Sequence, residues 1–410
     1  MKKSNFNHKY SSVFGVFWLV CIVVGHGQGF RQSPLDSLYT HYERSISNKT
    51  LAGVEALLIL NDRVVWHQVQ GLADVAAKTP LQTNSIYYIQ SMTKPVISVA
   101  IMQLVERGLL ALDDPIEMYI PEAKGLLVAN NPDLGLDSPT RKVNRSLTIL
   151  DLLTHTSGLS HGLGESKLDQ QLFKALYDET LNYRSHNSLE DRVTTLLSFP
   201  LVAQPGTEWY YSAGADILAL ILQRVSKQSI PTYLKTNIFE PLDMHDTGYN
   251  LNELQSRRVM KLHSRNERNT VKRHEQQVPT SGNTIYGGTH GLFSTASDYA
   301  QFCLMILHNG TWNGAQILKS DTVKNIRTNH TADLYHEEGA GFGLGFSVIS
   351  IPEKMNRPGG VGQLQWGGYF STYFFIDPEK KAIGIILTQQ MPGGEDINTP
   401  FQNNVYRALN

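Results

Sequence analysis

The chain has 410 residues, of which 41% are hydrophobic and 18% are charged, and its formal net charge is -1. A chain of this length and composition can bury a large core, which excludes an intrinsically disordered protein. Because the charge is near zero and no long basic run occurs, we expect no nucleic-acid partner.

The N-terminus has the layout of a secretory signal. Lys2, Lys3 and Lys9 precede an apolar run over residues 13–24, and small residues follow at 25–28. A basic start, a short apolar stretch and a small-residue cleavage site are typical of exported proteins. The sequence therefore predicts a periplasmic or secreted protein.

Two alternatives to a cleaved signal involve the membrane. A spanning helix needs about 20 apolar residues, which is longer than this run, so we expect cleavage near Gly27, removal of residues 1–27 and no stable membrane span afterwards. A lipoprotein anchor at Cys21 is disfavoured because Val20 stands where a small residue is expected. Cys303 is then the one cysteine left, which rules out an intrachain disulfide, and its apolar surroundings predict a small core residue.

The first elements after the signal are two strands and a helix. Residues 55–71 predict two strands around a turn at Asn61-Asp62. Residues 87–90 form a short approach to Ser91, where a long amphipathic helix begins and continues to Arg107, before Gly108.

The middle of the chain, to about residue 285, is mostly helical in pattern. Asp113-Asp114-Pro115 open a further segment, residues 124–147 are polar and predict a loop, and Thr148 with Asp151 predicts a capped helix start. Residues 261–280 are strongly polar and predict a solvated loop.

Strands return near the C-terminus. The short apolar runs are residues 343–351, 372–376 and 382–388, with a turn at 377–381 between the last two. Strands at both ends with helices between them predict an α/β fold of the α+β type, in which a central, mostly antiparallel sheet from both chain ends is flanked by helices. The predicted organisation is a signal at 1–27, an α/β region at 28–125, a mainly helical insertion at 126–289 and a second α/β region at 290–410.

Ser91 and Lys94 are the first candidates for chemistry. Three residues apart at a helix start, they lie one turn apart on one face, beside the free N–H groups of the helix N-terminus. A lysine that is desolvated can take the proton of a serine nucleophile, and the N–H of Ser91 can help to hold an oxyanion. One such pair is expected by chance in a chain of this size, so a serine cap beside a surface lysine remains the alternative.

Longer segments around this pair resemble the β-lactamase-like serine hydrolases. These include class C β-lactamases, D-Ala-D-Ala carboxypeptidases and family VIII carboxylesterases. The matching segments, all in the family's order, are residues 88–95, 104–115, 152–159, 238–247 and 291–299. The resemblance extends from about residue 35 to the C-terminus and implies the β-lactamase/D,D-peptidase-like fold. Within the segment at 152–159, His155 is interpreted as a hydrogen-bonded core histidine in preference to a general base.

The family's second catalytic motif is Tyr-x-Asn, and the resemblance places its tyrosine at Tyr211 rather than Tyr210. A phenol near positive centres can ionise, act as a base and return the proton to the leaving group. Ala213 stands where the family has asparagine. Because that asparagine contacts the substrate amide in β-lactamases, its absence disfavours a β-lactamase.

The third motif, Lys-Thr-Gly or His-x-Gly in the family, matches Trp366-Gly367-Gly368, the form found in its esterase branch and in related acyltransferases. A tryptophan cannot bind a substrate carboxylate as a lysine or histidine can, so this site predicts uncharged, apolar acyl or alcohol groups. The glycines allow a close backbone approach. By the resemblance, Trp366, Gly367 and Gly368 contact the substrate, and the N–H of Tyr369 is the second oxyanion donor beside that of Ser91.

The resulting hypothesis is a serine hydrolase that cleaves carboxylic esters through an acyl-serine, with Ser91 as nucleophile and Lys94 and Tyr211 in proton transfer. Alternatives are a β-lactamase or D,D-carboxypeptidase acting on amides, and an acyltransferase that uses the same acyl-enzyme. A non-enzymatic binding protein of this fold is disfavoured, since all three residues are present. No cofactor or metal is implied, the expected partner is a small-molecule ester or amide, and the oligomeric state is left open.

Overall fold

The computed structural model describes residues 30–177 and 183–409. The predicted signal at residues 1–27, including Cys21, lies outside the described residues. No helix within the described ranges is both long enough and apolar enough to cross a membrane.

Helices and strands are numbered in chain order over the described residues. The α-helices are α1 (Ser33–Ser47), α2 (Thr93–Glu106), α3 (Ile149–Thr154), α4 (Lys167–Tyr177), α5 (Leu189–Leu197), α6 (Gly214–Ser226), α7 (Ile230–Leu234), α8 (Glu253–Ser256), α9 (Ala296–Leu307), α10 (Ser320–Ile326) and α11 (Asn398–Leu409). The strands are β1 (Gly53–Leu60), β2 (Arg63–Asp74), β3 (Thr79–Pro80), β4 (Tyr87–Tyr88), β5 (Leu127–Ala129), β6 (Thr140–Lys142), β7 (His263–Arg265), β8 (Val271–Arg273), β9 (Phe293–Ser294), β10 (Thr311–Trp312), β11 (Ala315–Gln316), β12 (Ala340–Phe342), β13 (Ser347–Ile349), β14 (Leu364–Gly368), β15 (Thr372–Asp377) and β16 (Ala382–Leu387).

The central sheet has eight strands in the order β12-β13-β14-β15-β16-β1-β2-β3. Its neighbouring strands are antiparallel, and β1 pairs with β16, so the two ends of the chain meet in the middle of one sheet. The turn between β1 and β2 places Asn61 and Asp62 at φ of 49° and 65°, a conformation that these residue types tolerate. The predicted antiparallel α/β architecture is confirmed.

Each face of the sheet has its own core. On β1, Val54, Ala56 and Leu58 are buried with residues of α1 and α11, whereas Leu57 and Ile59 are buried on the other face with residues of α2 and α9. Successive side chains of a strand point to opposite faces, which is why one strand serves both cores. The second core continues into the helical part of the molecule, where α2 packs on α6.

The strand predicted over 343–351 is shorter in the structure, where β13 covers Ser347–Ile349 and residues 343–346 form the turn that joins it to β12. Gly345 adopts φ 88°, and a Cβ there would lie 2.1 Å from the Ser98 hydroxyl. A Cβ on Gly343 would lie 2.1 Å from the carbonyl oxygen of Ile326. The two glycines therefore permit a turn that fits tightly against neighbouring elements.

Two predicted loops contain hairpins instead. Residues 124–147 include the pair β5 and β6, and residues 261–280 include β7 and β8. The second segment is partly solvated: residues 266–269 are exposed, whereas Arg273 contacts Asp74 at 3.1 Å and His263 is buried. Its polarity therefore reflects both exposure to solvent and contacts with neighbouring segments.

Thr148 and Asp151 form the predicted capping box at the start of α3. Cys303 lies on α9, where it is a free and buried cysteine, as predicted. Burial raises the pKa of its thiol well above the ordinary value, so the reactive thiolate is disfavoured.

Candidate active site

Ser91 lies in a short 3₁₀ turn, Gln90–Met92, between β4 and α2. The turn is closed by the Met92 N–H, which donates to the Ile89 carbonyl at 3.1 Å. Gln90 has φ 50°, a left-handed conformation that costs a residue other than glycine about 1–2 kcal/mol. This strained turn holds Ser91 at the positive N-terminal end of α2.

Lys94 lies one turn further along and is only 2% exposed. Its Nζ is 3.2 Å from Ser91 Oγ and 2.7 Å from the Tyr211 hydroxyl, and it donates to the Thr289 carbonyl at 2.9 Å. Burial lowers the pKa of Lys94 to about 7. A substantial neutral fraction is therefore present near neutral pH, as a base requires.

Tyr211 completes the triangle, because its hydroxyl donates to Ser91 Oγ at 2.7 Å. Lys94 Nζ also lies 4.6 Å from the centre of the Tyr211 ring. Burial raises the pKa of Tyr211 above the ordinary value. These two shifts favour a neutral phenol in the resting site and Lys94 as the group that accepts a proton.

Aromatic rings fix the orientation of Tyr211. The His161 ring stacks on it at 4.9 Å, and the His155 and Trp366 rings lie 5.0 and 5.6 Å away. Burial lowers the pKa of both histidines well below the ordinary value, so both are neutral. His155 Nδ1 is 3.1 Å from the Ser212 hydroxyl, which confirms the interpretation of a hydrogen-bonded core histidine.

A buried ion pair lies behind Lys94, and the sequence analysis missed it. Arg192 Nε donates to Asp216 Oδ2 at 2.6 Å, and Asp216 Oδ1 accepts the backbone N–H groups of Gly288 and Thr289 at 2.9 and 2.8 Å. Burial raises the pKa of Asp216, but the Arg192 guanidinium outweighs this effect and the net shift is downward. Because Thr289 also accepts from Lys94, the pair fixes the position of the base. The sequence signal for this ion pair was Asp216, an acidic residue in the apolar first part of α6.

Trp366, Gly367 and Gly368 form the end of β14, which pairs with β15. A Cβ on Gly368 would lie 2.5 Å from the Ile89 carbonyl oxygen, so glycine allows the strand to touch the turn of Ser91. Tyr369 follows and is 41% exposed. The structure thus brings all of the predicted site residues to one place.

Ser91 opens into a pocket of about 610 Å³. Trp366, Trp209, Phe173 and Tyr369 are among the side chains that line it, and none of the described lining residues is Asp, Glu, Lys or Arg. Ala213 is fully buried and does not line the pocket. Across the described part of the chain, no group of three or more His, Cys, Asp or Glu side chains is arranged to hold a metal ion.

Comparison with known proteins shows the family of the chain. The Beta-lactamase family model matches residues 38–405, so the chain belongs to the Beta-lactamase family. Protein Rv1367c of Mycobacterium tuberculosis is 31% identical over 83% of this chain and 86% of its own length. Esterase EstB of Burkholderia gladioli is 25% identical over 84% of this chain and 86% of its own length.

A solved structure has the same fold. EstCE1, described as a hydrolase with promiscuous acyltransferase activity, superposes with a TM-score of 0.75 at 21% identity, covering 92% of this chain and 99% of its own. The fold is therefore that of β-lactamase-like hydrolases, and the chain's relatives include proteins named as esterases.

Proposed function

We propose that this protein hydrolyses carboxylic esters through an acyl-Ser91 intermediate. The supporting observation is the contact triangle of Ser91, Lys94 and Tyr211, with distances of 2.7–3.2 Å, at the base of a pocket whose described lining lacks formal charge. This combination pairs an activated nucleophile with an environment suited to neutral substrates.

Acylation begins with Lys94 in its neutral form. As Ser91 Oγ attacks the ester carbonyl, its proton passes to the Tyr211 oxygen while Tyr211 passes its own proton to Lys94 Nζ. Both transfers run along the 2.7 Å contacts of the resting site, after the hydroxyl protons have turned so that Ser91 donates to Tyr211 and Tyr211 donates to neutral Lys94. The tetrahedral oxyanion is held by the N–H groups of Ser91 and Tyr369. Collapse of the intermediate breaks the bond to the alkoxy oxygen, which leaves as the alcohol with a proton returned through Tyr211.

Deacylation repeats the steps with water. Neutral Lys94 and Tyr211 remove a proton as the water oxygen attacks the acyl carbonyl, and the relay then returns that proton to Ser91 Oγ. The products are a carboxylic acid and the free enzyme. An alcohol in place of water gives acyl transfer by the same steps, so esterase and acyltransferase differ only in the second acceptor.

Two features favour an ester over a β-lactam or D-Ala-D-Ala peptide. Trp366 occupies the place where a cation would bind a substrate carboxylate, and Ala213, which is 0% exposed, offers no amide to a peptide group. In agreement with these two features, a relative of the chain, EstB of Burkholderia gladioli, is named as an esterase.

The direct test uses protein without residues 1–27. It should cleave a short-chain aryl ester faster than a chromogenic cephalosporin or a D-Ala-D-Ala peptide, and a fluorophosphonate should label Ser91. Ser91→Ala should lose both turnover and labelling. Unchanged ester turnover in Ser91→Ala would rule out this mechanism.

The role of Trp366 has its own test. Trp366→Lys should raise kcat/KM for esters that carry a free carboxylate relative to matched neutral esters, because the variant supplies a cation in the pocket. Trp366→Phe is the control and should leave that ratio unchanged. Wild-type protein that already prefers carboxylate-bearing substrates would contradict the argument.

Export is also proposed, on the basis of Lys2, Lys3, Lys9 and the apolar run at 13–24. N-terminal sequencing of the protein recovered outside the cytoplasm should find a start near residue 28. An intact Met1 on that fraction would contradict cleavage.

A further inference from the structure

Gln90 carries an amide that the proposed chemistry does not use. Its side chain is 7% exposed and lines the pocket beside Ser91. Within the described residues the amide has no protein hydrogen-bond partner, and it is not enclosed by protein atoms, unlike the unpaired indole nitrogens of Trp209 and Trp366 that also line the pocket. An amide that is open to a cavity is available to a ligand once the water there has been displaced.

The backbone conformation at Gln90 also indicates a role for its side chain. Gln90 has φ 50°, where glycine is the residue without steric penalty. Several other left-handed positions, such as Asn61, Asp62 and Lys381, are in exposed turns, whereas Gln90 and His155 are buried at the site. A bulky residue held in this conformation next to the nucleophile indicates a role for its side chain.

The position of the amide limits what it can reach. Gln90 and Ser91 are consecutive, so their Cα atoms are about 3.8 Å apart. A Cβ built on Gly368 would lie 3.3 Å from Gln90 Cβ, so the side chain starts between the nucleophile and the end of β14. A carbonyl bound at Ser91 is therefore within one side-chain length of the amide.

We propose that Gln90 is a specificity-determining residue whose amide binds a second oxygen of the substrate. That oxygen is a hydroxyl or carbonyl within about three carbons of the scissile carbonyl, which is the reach of one glutamine side chain. The preferred substrates are then hydroxy- or oxo-substituted esters. The inference rests on the proposed ester hydrolysis for the reaction that is catalysed. The contact between the Gln90 amide and the substrate does not depend on that reaction.

The test compares ratios of kcat/KM, so that the intrinsic reactivity of each ester cancels between variants. The probes are an aryl butyrate, the aryl 3-hydroxybutyrate and a matched pair with the hydroxyl in the alcohol part. Wild type should favour one hydroxylated ester, and Gln90→Met, which keeps the shape without the amide, should reduce that preference about threefold to tenfold. The pair that responds identifies the acyl or alcohol side.

Gln90→Gly removes the amide and relieves the left-handed strain, so it separates recognition from folding. It should raise or preserve Tm while losing the preference. Lys381→Gly is the matched control, since Lys381 has the same φ of 50° in an exposed turn; it should change neither the preference nor the rate. A preference that survives in both Gln90 variants would overturn the inference.

A binding measurement separates this inference from the proposed function. Calorimetric titration of Ser91→Ala protein with each ester pair reports affinity without turnover, with and without Gln90→Met. A hydroxyl-dependent affinity that disappears in the double variant supports the contact even if wild type cleaves no ester. Equal affinities for both members of each pair would exclude it.

Discussion

In the proposed mechanism, the protonation state of Lys94 decides whether Ser91 can be activated. Burial lowers the pKa of Lys94 to about 7 and raises that of Tyr211, so the lysine is the group that changes charge near neutrality. Neutral Lys94 is the active form, and its fraction grows as pH rises through 7. The two shifts together support the proposed roles of Lys94 as base and Tyr211 as relay.

The rate of ester cleavage should follow this titration. We expect kcat/KM to increase about tenfold per pH unit below pH 7 and to level off above it. The measurement is a pH profile of initial rates on a neutral aryl ester, with the Ser91→Ala rate subtracted for spontaneous hydrolysis. A profile that is flat from about pH 6 to 8 would remove Lys94 from the role of base.

Tyr211 should be essential and its neighbour dispensable. Tyr211→Phe keeps the ring but deletes the proton relay, so kcat should fall by about 10²- to 10⁴-fold. Tyr210 donates to Asp169 at 2.8 Å and does not contact Ser91, so Tyr210→Phe is the matched control and should retain most activity. Equal losses in the two variants would contradict the assignment of the catalytic tyrosine.

Some residues of the site could be predicted because they are close in sequence or carry a family motif. Ser91 and Lys94 are three residues apart, and Tyr211 and Trp366 stand in matched segments. Arg192 and Asp216 are 24 residues apart and each is an ordinary helix residue; only the packing of α5 on α6 makes them a pair. Contacts created by tertiary packing have no short-range signature.

At the scale of elements, short apolar runs predicted the strands that bury side chains on both faces, such as β15 and β16. The apolar run at 343–351 looked continuous, but glycines at 343 and 345 turn the chain. The polar hairpin of β7 and β8 was missed because its strands are short and polar, and some of its contacts, such as that of Arg273 with Asp74, are with partners far away in sequence. Runs of apolar residues in the sequence indicate which segments are buried. Turns and distant ion pairs depend instead on the neighbours that the fold supplies.

The contact of β14 with the turn that carries Ser91 is the point at which the position of a strand affects the proposed chemistry. Gly368→Ala would place a Cβ 2.5 Å from the Ile89 carbonyl oxygen and push the strand away from Ser91. We expect a loss of about 1–3 kcal/mol in the free energy of unfolding and a larger proportional loss of kcat, because the oxyanion position moves with the strand.

Gly248→Ala is the control for this substitution. A Cβ there has no neighbour closer than 3.7 Å, so stability and activity should both be retained. Urea unfolding and initial rates measured on the same preparations make the comparison. Full activity in Gly368→Ala would show that the close approach is not needed.

For the whole molecule, the buried pair Arg192–Asp216 links α5 and α6 to the segment at Gly288 and Thr289, and the Thr289 carbonyl accepts from Lys94 on α2. Asp216 is 0% exposed and accepts from Arg192, Tyr183, Gly288 and Thr289. Such a pair adds little net stability compared with apolar packing, but loss of one partner leaves the other charge buried and unpaired. The pair therefore makes the folding of the helical region a condition for the placement of Lys94.

Removal of Asp216 should expose this coupling. Asp216→Ala leaves the Arg192 guanidinium and two backbone N–H groups without their acceptor, so the free energy of unfolding should fall by about 3–5 kcal/mol. Glu253→Ala breaks the exposed pair of Glu253 with Arg257 and should change the free energy of unfolding by less than about 1 kcal/mol. Urea midpoints give both values. If Asp216→Ala were as mild as Glu253→Ala, the pair would be a local contact, and the position of Lys94 would have to be fixed by other parts of the fold.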